Sequence, residues 1–176
     1  MKYYTGIGSR NISDEISEEM TEIAQILSKN GYTLRSGGAE GSDTAFEKGA
    51  GDNKEIYLPW KGFNNNESML YNISYQALEL ASEIHKNWKY LTPPVRKLMA
   101  RNCYQVLGED LQTPSDFVVC WTKDGCETND KRTQKTSGTG QAISLADKNN
   151  IKVYNMYNEK SKKELNNLLE KGITKW

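Results

Sequence analysis

The sequence is poor in several features that would settle a function class at once. Its three cysteines, Cys103, Cys120 and Cys126, are odd in number and never form a Cys-x-x-Cys pair, and His85 is the only histidine. That set argues against a disulfide framework and against a zinc centre, so no metal is expected. No apolar run approaches the roughly 18 residues of a membrane span. The opening residues, MKYYTGIGSR, lack the pattern of a secretory leader. The glycosylation sequons at Asn11 and Asn72 therefore carry no message, and a cytoplasmic location without membrane contact is expected. An excess of one charge is missing too, because 23 Lys and Arg balance 23 Asp and Glu. Any polyanion site must then be a local cluster rather than the whole surface. Hydrophobic residues make up only 36%, which suggests a compact core inside a polar shell.

The length of 176 residues suits one domain spanning the chain. Lys2 to Thr5 reads as a strand that ends in Gly6-Ile7-Gly8-Ser9-Arg10. Ser13 is a good N-cap, with Asp14 and Glu15 in the first turn of the helix it opens. Ile16, Met20, Ile23, Ala24 and Leu27 give that helix one apolar face, and Asn30-Gly31 stops it. A second strand over Tyr32 to Arg35 runs into Ser36-Gly37-Gly38-Ala39-Glu40-Gly41-Ser42-Asp43, followed by a helix over Thr44 to Gly49. Lys54 to Leu58 is a third strand, Ser74 to His85 a helix, and Pro94 suits the first turn of another helix reaching Leu107. Asp116 to Trp121 is a continuous apolar run, the mark of a strand buried on both faces. Thr122 to Lys135 is polar, charged and expected to be mobile. A helix over Gly138 to Asn149, a strand over Ile151 to Asn155 and an amphipathic helix over Ser161 to Lys171 close the chain. Strands alternating with helices predict an α/β fold: a Rossmann-like parallel sheet of about five or more strands, with helices on both faces.

Three glycine-rich segments follow predicted strands: GIGSR, SGGAEGSD and, across a longer loop, TSGTGQA. In an open parallel sheet the carboxyl ends of the strands share one edge, so these loops can converge. Glycine permits close approach to a phosphate, and a helix starting just afterwards points free N–H groups at the anion. The plainer alternative is that each glycine makes a tight turn. Neither a Walker sequence nor a full GxGxxG spacing is present, so no dinucleotide or other cofactor is expected.

These segments resemble the SLOG superfamily, which joins DNA-processing protein A with the LOG-type nucleotide hydrolases. Ser36 to Asp43 is similar to the Ser-Gly-Gly-Ala-x-Gly-x-Asp loop of the former, with Glu40 where that family has Arg. Met99-Ala100-Arg101-Asn102 resembles the Met-x-x-Arg-Lys element of the latter, displaced by one residue. Ser137-Gly138-Thr139-Gly140 resembles their Pro-Gly-Gly-x-Gly-Thr loop, and the whole is similar to compact phage-encoded proteins of the DNA-processing protein A type. The resemblance implies phosphate binding, and either N-glycosidic hydrolysis of a nucleoside monophosphate, sequestration of a nucleotide signal, or single-stranded DNA binding. Ala142 stands where LOG-type hydrolases carry a glutamate, and the adjacent Gln141 is no general base.

The expected ligand-binding set is Gly6, Gly8, Ser9, Arg10, Arg35, Ser36, Gly37, Gly38, Ser137, Gly138, Thr139, Gly140 and Gln141, with Trp60 stacking on a base. Asp43, Glu40 and Arg101 are the catalytic candidates. Each has a plainer role open to it. Arg10 can pair with the acidic start of the first helix, Asp43 can cap the helix at Thr44, and Arg101 can sit in a surface salt bridge. Thr122 to Lys135 reads either as a lid or as a partner contact. Homo-oligomerisation is expected from an apolar face around Thr92-Pro93-Pro94.

Overall fold

A computed structural model describes residues 1–174, with side chains through residue 171. Five strands, β1 (Lys2–Gly8), β2 (Tyr32–Ser36), β3 (Lys54–Ile56), β4 (Phe117–Trp121) and β5 (Lys152–Asn155), form one sheet. Six helices flank it: α1 (Asp14–Lys29), α2 (Ser42–Ala50), α3 (Tyr75–Ile84), α4 (Pro93–Leu107), α5 (Thr139–Lys148) and α6 (Glu159–Thr174). All strand pairs are parallel and their order is β3-β2-β1-β4-β5. The fold is Rossmann-like α/β.

Alternation along the strands sorts the core into two layers. Tyr4 on β1 and Phe117 and Val119 on β4 face a cluster with Met20 and Leu27 of α1, Phe46 of α2 and Leu165 of α6. Ile7, Val118 and Cys120 face the other way, toward Ala100 and Val106 of α4 and Ile143 and Leu145 of α5. The local signals act as expected at α1, where the Ser13 hydroxyl accepts the Ile16 N–H and Asp14 and Glu15 occupy the positive first turn.

Two readings are corrected. β1 does not stop at Thr5 but runs to Gly8, so Gly6 is a strand residue. A methyl there would lie 2.7 Å from both Leu34 and Phe46, so Gly6 serves helix-to-sheet packing. The segment expected to be mobile is instead stitched into two 3-10 turns, Asn129–Lys131 and Gln134–Thr136. Among the described residues, no helix is long and apolar enough to cross a membrane.

Candidate functional site

The chain leaves β1 toward β2 and β3, then crosses back to place β4 against the other side of β1. Loops leaving β1 and β4 therefore part in opposite directions, and a crevice opens beyond their carboxyl ends. A cavity of about 660 Å³ lies there. Its walls come from the turn after β1, the start of α2, one face of α4, the segment after β4 and the start of α5.

The first wall is the turn Gly8-Ser9-Arg10. The Ser9 N–H donates to the Trp121 carbonyl at 3.0 Å, tying the ends of β1 and β4 together. The Ser9 carbonyl accepts from the Ser42 N–H at 3.2 Å and from the Ser42 hydroxyl at 2.8 Å. Gly41, at φ 75, sits directly against the Arg10 backbone where no side chain fits. Arg10 itself is exposed, lines the cavity and makes no ion pair with Asp14, Glu15 or any other described residue.

The second loop departs from expectation. Asp43, only 4% exposed, accepts the Ala39 N–H at 3.2 Å and faces the Gly37 N–H. The Gly37 amide, expected to hold phosphate, is thus engaged by the chain's own carboxylate. Asp43 closes the loop rather than capping a helix at Thr44, because α2 begins at Ser42 with Gly41 as its cap. Burial pushes the Asp43 carboxyl from 3.8 up to about 6, with the Arg101 charge and the Ala39 and Gly37 amides pulling it back. Ser36 is fully buried and donates its hydroxyl proton to the Gly6 carbonyl at 2.6 Å. Ser36, Gly37 and Gly38 lie behind the cavity wall, and Glu40 is exposed away from it.

The third wall is α4. Arg101 is 5% exposed, and its Nη1 donates to the carbonyls of Gly37 and Tyr57 while its Nε donates to Asn102 Oδ1 at 3.0 Å. Asn102 Nδ2 in turn donates to the Gly138 carbonyl at 3.3 Å. These bonds run from the second loop through α4 to the start of α5. Burial lowers the Arg101 pKa from 12.5 to about 10; Asp43 opposes that shift and Arg10 adds to it.

At the fourth wall, Ser137 holds φ 57 and ψ −150, a region that favours glycine. The strain turns the chain so that α5 starts at the cavity with Gly138 as an N-cap that uses no side chain. The Gly140 and Gln141 amides bond back to Ser137 and Gly138, whereas those of Gly138 and Thr139 have no acceptor among the described residues. Lys123 and Lys135 complete the rim; both are exposed and neither is in an ion pair among the described residues. Against four lining cations stands one lining carboxylate, Asp43. The site is locally cationic in a chain of zero net charge.

The structure gathers Gly8, Ser9, Arg10, Asp43, Arg101, Ser137, Gly138 and Thr139 around this cavity and leaves the other candidates outside it. Arg35 lies against β3, where it pairs with Glu55 at 3.2 Å and covers the Tyr3 ring at 3.8 Å. Trp60 packs edge-on against Phe63 at 5.4 Å. Gly140 packs against the Arg132 guanidinium, and Gln141 is buried with its Nε2 donating to the Ala81 carbonyl at 2.9 Å. Sequence reasoning missed Asn11, Leu98, Gln105, Lys123 and Gln134 on the wall. For the α4 residues a signal existed, since Leu98, Arg101, Asn102 and Gln105 recur at helical spacing and put polar groups on a face buried by the sheet.

The sequence matches no protein-family model and no curated protein. Among solved structures, DNA processing protein A from Helicobacter pylori is similar over 97% of this chain and 81% of that one, at 17% sequence identity and a TM-score of 0.44. That structure was described for its single-stranded DNA binding mode.

Proposed function

We propose that the chain binds a nucleotide or nucleotide-derived ligand by its phosphate at the crevice between β1 and β4. The observation that carries this reading is the coincidence, at one cavity, of three unpaired rim cations and the open amides of the α5 start. Arg10 offers a bidentate fork, and Lys123 and Lys135 offer point charges. A cavity of about 660 Å³ matches a small ligand. Titration calorimetry with inorganic phosphate and a panel of nucleoside monophosphates tests it. Binding should weaken at least about tenfold in Arg10→Ala/Lys135→Ala, a loss of about 1.4 kcal/mol. No heat with any member of the panel removes the reading.

Asp43 is where we place N-glycosidic hydrolysis. It is the cavity's carboxylate, Ala142 supplies none, and a carboxyl titrating near 6 suits proton transfer at neutral pH. Chromatography for free base, comparing the native chain with Asp43→Asn, decides between turnover and retention. Equal and zero release in both leaves a protein that holds its ligand unchanged.

A second reading, single-stranded nucleic acid, is favoured by one observation: Arg10, Lys123 and Lys135 are all exposed at the cavity mouth. A strand laid across them should bind with a steep salt dependence, and a saturating mononucleotide should displace it. An oligonucleotide that does not bind at low salt eliminates this reading.

A further inference from the structure

Gln105 is 2% exposed, lines the cavity, and its side-chain amide makes no hydrogen bond to another of the described residues. Its backbone carbonyl, by contrast, is well used: it accepts from the hydroxyls of Thr5 and Ser115. The main chain at this point is therefore fixed, and the carboxamide is held against Gly37, whose lack of a side chain makes room for it. The same glycine presents its carbonyl to Arg101 and its N–H to Asp43. Three buried polar groups of the cavity floor thus meet around one glycine just behind it. Arg101 spends its donors on Gly37, Tyr57 and Asn102. Asp43 is engaged by loop amides on one side. Only the carboxamide is left without a partner among the described residues.

The polar atoms of the carboxamide keep a small opening to the cavity, so a ligand that displaces water there has to supply the hydrogen bonds that water would make. From this we infer that Gln105 is the specificity-determining residue of the site, hydrogen-bonding the uncharged polar part of the bound molecule while the rim holds its phosphate. The inference rests on the phosphate reading given above. The floor is suited to a neutral group for a physical reason. The Asp43 and Arg101 charges offset one another there, and a carboxamide offers donors and an acceptor without net charge. A group that carries O–H or N–H donors beside an acceptor fits it. Sugar hydroxyls and a base edge share that chemistry.

Calorimetry with inorganic phosphate, ribose 5-phosphate and a nucleoside 5′-monophosphate, on the native chain, Gln105→Met and Gln105→Glu, separates the outcomes. Gln105→Met keeps the volume and removes only the amide, so its melting temperature should hold or rise. Its affinity for inorganic phosphate should stay within about twofold, while nucleotide affinity falls about tenfold or more. A matching loss for ribose 5-phosphate assigns the contact to sugar hydroxyls; a loss confined to the nucleotide assigns it to the base. Gln105→Glu adds a negative charge at the floor and should weaken every phosphate ligand. Equal affinities in Gln105→Met and the native chain overturn this inference and leave the phosphate site standing. A marked fall in the melting temperature of Gln105→Met overturns it as well, by making the amide structural. If the native chain binds none of the three, the phosphate reading fails and this inference fails with it.

Discussion

Asp43 and Arg101 are both buried beside the same glycine, yet no direct ion pair joins them among the described residues. The guanidinium donates to the Gly37 and Tyr57 carbonyls, and the carboxylate accepts from the Ala39 N–H. Each charge is therefore held by backbone dipoles, and the two feel each other through the low-dielectric wall between them. This arrangement fixes the second loop against α4 and fixes the electrostatics of the cavity floor.

Removing the guanidinium strands two carbonyls and leaves Asp43 without its compensating charge. Arg101→Met should lower stability by about 2–4 kcal/mol. Urea denaturation at pH 7 measures it. Arg101→Lys should recover little, because a single ammonium cannot reproduce a planar fork shared between carbonyls and Asn102 Oδ1. A variant as stable as the native chain would show that these bonds contribute nothing net.

Asp43 makes stability depend on pH in an unusual direction. Its folded value, about 6, lies above its ordinary 3.8, so the folded state binds the proton more tightly. The contribution is fully present below about pH 4, is lost as pH rises through 6, and is constant above that. The size is on the order of 3 kcal/mol across that window. Denaturation curves from pH 4 to 7, native against Asp43→Asn, should differ by a term that falls with rising pH. A flat difference would mean that the carboxyl is ionised throughout.

Much of this fold was legible because its signals are local. The Ser13 cap, the apolar stripe of α1 and the unbroken run at β4 are each written within a few residues. The site was half legible for the same reason: Arg10, Asp43 and Ser137 sit just after strands or just before helices, and in a parallel sheet those places share one edge. Arg35 was misplaced because its partner is set by register, which brings Glu55 of β3 alongside it. Gln105 was missed because its meaning depends on what lies opposite, and Gly37 is 68 positions away in the sequence. Pairings between distant segments leave no periodic trace.

Gly31 and Gly41 both hold a positive φ, 80 and 75, but only Gly41 has a neighbour in the way of a side chain. A methyl at Gly31 meets open space, so Gly31→Ala should cost only the left-handed penalty, about 1–2 kcal/mol. Gly41, at φ 75 and ψ −114, lies outside the left-handed helical region, so backbone strain is larger there, and a methyl also clashes with the Arg10 backbone. Gly41→Ala should cost roughly 3 kcal/mol or more and should weaken phosphate binding by displacing the Arg10 turn. Equal melting temperatures for the two variants would refute the close contact.

The segment from Thr122 to Ser137 carries Lys123, Lys135 and the strained entry to α5, so whatever orders it governs the cavity. Asn155, Asp147 and Ser144 tie the middle of this segment to β5 and α5, and Asp124 joins its two ends. The Asp124 carboxylate accepts the hydroxyls of Thr122 at 2.8 Å, Thr133 at 2.6 Å and Thr136, together with the Cys126 N–H at 3.3 Å. Partial burial raises its pKa, but the threonine hydroxyls outweigh that and hold it down at about 2, below the usual 3.8. Its contribution is thus present above about pH 4 and is lost as pH falls toward 2. Asp124→Ala removes the acceptor shared by three hydroxyls at once. Amide hydrogen exchange across residues 122–137 should then accelerate by at least about tenfold, while the sheet amides of β1 and β4 change far less. Phosphate affinity should fall in step, because the Gly138 and Thr139 amides lose their fixed direction although no residue touching the ligand has changed. Asp124→Asn keeps one acceptor oxygen and should fall between the two. Unchanged exchange in Asp124→Ala would show that the two 3-10 turns hold themselves and that Asp124 merely decorates them.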